Sequence, residues 1–222
     1  MTAMKTLRKT LVIGATKMKT TSIVFALIAL AILTGCTSTT VHLRPDLTFQ
    51  TKDAKLRKSV LISISTDTKN YVLKSKAGVG TWTVPIGQAL EPNALRAFAA
   101  VIEKAVAYTS DAAADRIIEL SFDPQTDIRL GGTTFSENKC IIVLKCNIKD
   151  STGKVVWSGT AHGEASKNIS SGYMCLTPLP LIGGIFIQNA YNAAIGNAAD
   201  AAMMEALQKL ADQVEAQKQI IF

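Results

Sequence analysis

Lys139-Cys140-Ile141-Ile142-Val143-Leu144-Lys145-Cys146-Asn147-Ile148-Lys149, then Asp150-Ser151-Thr152-Gly153-Lys154, then Val155-Val156-Trp157-Ser158-Gly159-Thr160-Ala161, is the stretch on which the fold turns. Side chains alternate across a strand. Cys140, Ile142, Leu144, Cys146 and Ile148 therefore share one face, and Ile141, Val143, Lys145 and Asn147 the other. The first face is the more apolar and belongs against a core. The polar, glycine-bearing turn sends the chain back, so the two runs read as an antiparallel hairpin.

Working upstream, Arg116 to Phe122 reads as a strand, Pro124 interrupts it, and Thr126 to Leu130 resumes the extended pattern. A helix is expected from Gln88 or Glu91 to Tyr108, with Pro92 in its first turn, where the missing N–H costs nothing. Its inward stripe is Leu95, Phe98, Ile102 and Ala105 or Val106; Asn93, Arg96, Glu103 and Lys104 are expected on the other side. Ser59 to Ser65 is a β-branched apolar run that reads as a strand, followed by a turn at Thr66 to Asn70 and a hairpin partner at Tyr71 to Lys74. Thr81 to Val84 alternates briefly and stops at Pro85.

Working downstream, Gly159, Gly163 and Gly172 loosen the chain. Leu176 to Ile187 is apolar but holds two prolines and two glycines, which reads either as a connector folded on the core or as an exposed apolar lip. Leu179, Leu181, Ile182, Ile185 and Phe186 are its candidate contact surface, joined by the loop near Gly78 to Gly87. The last helix is expected from Gln188 or Asn192 to Gln217. Ile195, Ala199, Ala202, Ala206, Leu210 and Val214 form its inward stripe, widened by Met203 and Leu207. So alanine-rich a stripe allows close backbone approach. Together these elements predict an α+β fold: an antiparallel sheet with two main helices packed on one face.

The first 35 residues have a different character. Lys5, Arg8, Lys9, Lys17 and Lys19 precede eleven consecutive apolar residues, Ile23 to Leu33, with no acidic residue among them. This is the order of a secretory signal, and the run is short for a membrane-spanning helix, which needs about 20 residues. The run ends in Leu33-Thr34-Gly35-Cys36, small residues closing on a thiol, and this motif resembles the lipobox of bacterial lipoproteins. That resemblance implies a leader over 1–35, cleavage before Cys36, and acylation of Cys36. The start is open between Met1 and Met18. Residues 36–58, with Pro45 and His42, read as lipidated cysteine and flexible tether in which Val41, Leu43 and Phe49 could form a short edge strand, 59–217 as a single α+β domain, and 218–222 as a tail.

The leader also alters the charge reading. The chain carries +7, but residues 1–35 hold five of the 24 basic residues and none of the 17 acidic ones, so the remainder carries only +2. A nucleic-acid partner loses its main support.

Chemistry-bearing residues are few. With two histidines, His42 and His162, no His-rich metal site is expected, no cofactor is implied, and no catalytic residue is assigned. His162 and Glu164 are the only pair a hydrolase reading can use. Asp115, Glu119, Asp123 and Asp127 recur at four-residue spacing on an extended, proline-broken segment, and solvated charges are expected there. Cys140 and Cys146, six residues apart on one strand, lie about 20 Å apart and cannot bridge each other. Cys175 could pair with either, or all three could be buried thiols.

Beyond the lipobox, the strand at Val60 to Ile64, the helix from Glu91, the Gly153-Lys154-Val155-Val156-Trp157 hairpin and the closing helix resemble the YajG-like lipoproteins and, more distantly, the LptE group. The resemblance implies an outer-membrane, lipid-anchored, periplasm-facing, non-catalytic accessory or structural subunit with an envelope protein partner or oligomer. A lipid- or glycan-binding carrier or sensor, with its ligand in a cleft between helix and sheet, is the alternative.

Overall fold

The structure, a computed structural model, describes residues 38–77, 80–110, 112–131, 137–168 and 180–222, and of residues 77 and 180–187 the backbone alone. In order, the elements are β1 (Ser38–Thr40), β2 (Leu56–Ile64), α1 (Thr66–Lys69), β3 (Leu73–Ala77), β4 (Gly80–Val84), α2 (Ile86–Val101), β5 (Ile102–Ala107), β6 (Arg116–Phe122), β7 (Asp127–Arg129), β8 (Asn138–Lys149), β9 (Val155–Lys167), α3 (Pro180–Ala216) and α4 (Lys218–Ile221).

The hairpin is present as β8 and β9, paired from Asn138↔Lys167 to Lys149↔Val155. Its turn is built as the sequence suggests. Gly153 takes φ +85° and donates to Asp150 O at 3.0 Å, while the Asp150 carboxylate accepts from Thr152 N, Thr152 Oγ1 and Lys154 N at 2.6–3.0 Å. A type I turn closed by a left-handed glycine is a favoured hairpin connection. Cys140, Ile142, Leu144, Cys146 and Ile148 are all buried, on the expected face.

On its other edge β8 pairs with β6 over Leu144–Lys149 and with β7 over Lys139–Ile141, both antiparallel. Pro124 lies in the gap. There Asp123 N donates to Val143 O, and the Thr126 hydroxyl bonds both Val143 N and Val143 O at 3.0–3.1 Å. A side chain thus stands in for the missing ladder.

The rest of the sheet departs from the expected antiparallel form. β2 pairs parallel with β6 on one side and with β5 on the other, giving a curled, mixed, six-stranded sheet. β5 is the end of the helix predicted to reach Tyr108. The helix begins at Ile86, carries Pro92 in its second turn, and stops at Val101, where Ile102 turns extended at φ −118°, ψ 143°. Apolar residues at 98, 102 and 106 fit a helical period, but β2 has an open edge whose backbone groups need partners. Ile102–Ala107 supplies them.

Tyr71 to Lys74 does not return on β2. A short helix, α1, replaces the expected turn, and β3 joins β4 antiparallel and, through β4, β1 in parallel, as a separate three-stranded sheet. The loop expected near Gly78 to Gly87 is largely β4 and the start of α2.

Two helices do pack on the sheet, α3 across β8 and β9, and α2 against β5 and α3. The expected α3 stripe is fully buried, from Ile195 through Ala199, Ala202, Ala206 and Leu210 to Val214, together with Met203 and Leu207. α3 begins at Pro180, earlier than expected, with proline at the first helical position and Gly183-Gly184 carried inside the helix. The α3 side chains also close the outer edge of β9. Glu205 accepts from Glu164 N at 2.9 Å, Lys209 donates to His162 O at 2.8 Å, and Gln213 donates to Thr160 O at 3.2 Å. An edge covered this way cannot recruit another strand. Residues 218–222, expected as a tail, form α4 and a packed end: Ile221 is buried, Arg116 Nε donates to its carbonyl at 2.5 Å, and Lys58 and Arg116 flank the Phe222 ring.

Candidate functional site

The residues expected to be a flexible tether are, from Ser38 onwards, laid into the molecule. The alternation of Val41 and Leu43, continued at Leu47, is an extended apolar pattern, and all three side chains are buried. Each such burial contributes about 1.5–3 kcal/mol relative to an exposed side chain. β1 adds to β4 in register Ser38↔Thr81 to Thr40↔Thr83, and Val41 N donates to Thr83 O at 2.9 Å. The segment from Ser38 to Lys52 is a strap across α2 and α3.

Two buried polar side chains hold it. Asn93, on α2 and fully buried, donates through Nδ2 to Arg44 O at 2.8 Å and to Ala89 O at 2.9 Å, and accepts from Leu47 N at 3.0 Å. Its expected place on the solvent side is therefore wrong. The buried face of α2 runs through Leu90, Asn93, Ala94, Ala97, Phe98 and Val101, and Leu95 is only half-buried. Asp200, on α3, is 4% exposed. Its carboxylate accepts from Arg44 N at 2.9 Å and Arg44 Nε at 2.7 Å. A carboxylate so buried requires such partners. The sequence reading places Asn93 on the wrong side and leaves Asp200 unassigned, although an acid directly after Ala199, closing a long uncharged stretch, was a usable signal.

Further contacts run along the strap in order. Gln188 Nε2 bonds Thr39 Oγ1, Gln50 N donates to Gln208 Oε1 at 3.0 Å, and Lys52 Nζ pairs with Asp212 and Glu215 at 3.3 and 3.4 Å. The Asp212 and Glu215 carboxylates hold the Lys52 ammonium above its ordinary pKa. Near the start of the strap, Trp82 Nε1 donates to Asn192 Oδ1 at 2.8 Å and its ring packs on Tyr191 at 5.1 Å. Strap and helix therefore advance together: 39 with 188, 44 with 200, 50 with 208, 52 with 212.

The remaining sequence candidates are not brought together. His162 and Glu164 lie exposed on β9 with Nε2 and Oε2 3.9 Å apart, and Glu164 Oε1 is taken by Lys139 Nζ at 2.5 Å. His42 lies exposed beside a shallow cleft of about 190 Å³ lined also by Leu43, Pro45, Pro85 and Gln88. Of the four spaced acids, Asp115 accepts from Ser59 N at 2.7 Å, Glu119 meets Lys149 at 2.5 Å, Asp123 meets Lys145 at 2.7 Å, and Asp127 meets Arg129 at 2.9 Å. Each is taken up by its own strand-to-strand or local partner, and the four do not converge on one site. No group of metal-ligating side chains occurs among the described residues.

Cys140 and Cys146 are free and buried, and burial pushes both thiols up to about 12. Leu33, Thr34, Gly35, Cys36, Cys175 and Leu179 lie outside the described residues. Leu181, Ile182, Ile185 and Phe186 fall on the first turns of α3, where the backbone alone is described.

No protein-family model matches the sequence, and no curated protein does. Solved structures do match in fold. A Xanthomonas campestris protein described under the family model DUF330 aligns with a TM-score of 0.54 at 14% identity, over 82% of this chain and 97% of that one. This α+β architecture, a curled sheet carrying one long C-terminal helix, is thus a fold that both chains share. Weaker likenesses are a Caulobacter crescentus lipoprotein, with a TM-score of 0.42 at 13% identity over 72% of this chain and 90% of that one, and the PelC dodecamer of Paraburkholderia phytofirmans, with 0.34 at 14% over 71% and 94%. Bacterial lipoproteins recur among these neighbours, and none of their names indicates an enzyme.

Proposed function

We propose that this chain is an envelope lipoprotein, acylated at Cys36 after removal of residues 1–35, that acts as a non-catalytic accessory or structural subunit of an envelope assembly. The observation that carries this reading is the strap. Only Thr37 separates Cys36 from β1, and Asn93 and Asp200 fasten the strap to both main helices. Anchor and domain then move as one body, which suits a subunit that presents a fixed face to neighbours. A carrier that shuttles between surfaces needs slack instead. Where Gly163 on β9 lies against the α3 backbone at Ala202 and Ala206, helix and sheet leave no room for a ligand between them. Thr37, where an aspartate would favour inner-membrane retention, supports the outer membrane, with the domain facing the periplasm. The YajG-like and LptE-type resemblance supports the same role.

The test is to insert a Gly-Ser linker of about ten residues between Thr37 and Ser38, which behaves as flexible coil, and to compare cross-linked partners in the native envelope. Palmitate incorporation at Cys36 should persist, and the protein partners captured by the unaltered chain should be lost. Partners unchanged by the linker would overturn the fixed-face reading.

A further inference from the structure

The parallel course of strap and α3 fixes where the start of that helix lies. Thr39 is bonded to Gln188, and from there both segments run the same way, Arg44 meeting Asp200 and Lys52 meeting Asp212. Traced backwards, both leave Thr39 and Gln188 in the opposite direction, at the same end of the molecule. The chain from Thr39 back to Cys36 is three residues, a reach of about 10 Å when extended. The helix from Gln188 back to Pro180 is eight residues, about 12 Å at 1.5 Å per residue. These lengths allow an acylated cysteine to reach the level of the helix start.

The helix is apolar there: Pro180-Leu181-Ile182-Gly183-Gly184-Ile185-Phe186-Ile187. No charged residue occurs from Asn168 to Ala199. The helix itself carries no charge there to resist entry into a bilayer, and Lys76, level with Ser38 through Thr81, lies two strands away from β1. No helix among the described residues is long and apolar enough to cross a membrane. Two turns of helix, about 12 Å long, reach no deeper than the headgroup and upper acyl region.

We propose that the first two turns of α3, Pro180–Ile187, dock end-on into the headgroup and upper acyl region of the bilayer that holds Cys36. The occupant of this apolar end is a lipid surface. The inference rests on the acylation of Cys36 proposed for this chain, because that acyl group sets the bilayer at this end. It gives the molecule a second, protein-borne contact and sets its tilt.

The acylated mature chain, reconstituted in phosphatidylethanolamine and phosphatidylglycerol vesicles with or without brominated acyl chains, decides the matter. Phe186→Trp is compared with Met204→Trp on the same helix, 18 residues further on, about 27 Å away, with Trp82 and Trp157 as a common background. Brominated lipid should cause an added loss of emission for Phe186→Trp and none for Met204→Trp. An unchanged Phe186→Trp emission, or equal loss at both positions, overturns the proposal. Ile182→Trp is read the same way should Phe186→Trp fail to give the helical circular dichroism of the unaltered chain. Mass spectrometry of Cys36 keeps the two ideas apart. An acylated protein with no quenching at 186 rejects the docking alone, whereas quenching without acylation rejects the anchor and sustains the docking.

Discussion

At Gly163 the sheet and the long helix come into backbone contact. A Cβ built there would meet the Ala202 carbonyl oxygen and lie 2.7 Å from Ala206 N, both backbone atoms that cannot rotate away. In the sequence this glycine reads as a loosening of the chain, yet it lies within β9 and faces α3. The alanine stripe did foretell close approach, but only the pairing of 163 with Ile142 identifies which strand residue must lack a side chain. Gly163→Ala should therefore destabilise the fold by about 1–3 kcal/mol, as overpacking of a filled core does. A urea unfolding curve measures it, and a midpoint equal to that of the unaltered protein would refute the backbone contact.

Among elements, the strap differs most from its expected form. A polar stretch with a proline and no sustained period reads as tether, and Val41, Leu43 and Phe49 suggest no more than a short edge strand within it; the residues that bury it are Val41, Leu43 and Leu47. What makes them enough is a groove between two helices lined with matching polar groups. Asn93→Ala would leave Leu47 N and Arg44 O without their side-chain partner, at a cost of about 1–3 kcal/mol. Hydrogen exchange should then accelerate from Arg44 to Gln50 more than in β8. Uniform acceleration across both would mean that Asn93 supports the whole core and not the strap. α2 shows a further case: that a helix lies here was legible, but its buried face, shared with the expected stripe only at Phe98, and its end were not. Ile102 and Val106 satisfy helical and strand periods alike, and an open edge on β2 decided between them.

At the scale of the molecule, carboxylates join elements distant in sequence, and their ionisation is linked to stability. The backbone N–H of Ser59 holds Asp115 below its ordinary 3.8, tying the start of β6 to β2. Lys145 does the same for Asp123, the Thr152 hydroxyl for Asp150, and Lys209 for Glu205. A native pKa below the unfolded one means that the charged form favours folding. That contribution is complete above the ordinary value and lost as pH falls through the lowered one. Stability should hold from neutral pH to about 5 and decline below about 4. Urea midpoints across this range should fall less for Asp115→Asn than for the unaltered chain, and an equal fall would remove Asp115 from the account.

The β8–β9 hairpin with its glycine turn, the strands at β2 and β6 and the inward stripe of α3 were determined by the sequence alone. Each is a local pattern of period two or 3.6, or a short motif, and needs no distant partner to be legible. The tertiary structure decided the parallel pairing of β2, the strand at β5, the second sheet, and the strap from Ser38 to Lys52 across the two helices. These depend on which edges are left open and which grooves are left unfilled once the local elements have packed, and no window along the chain contains that information.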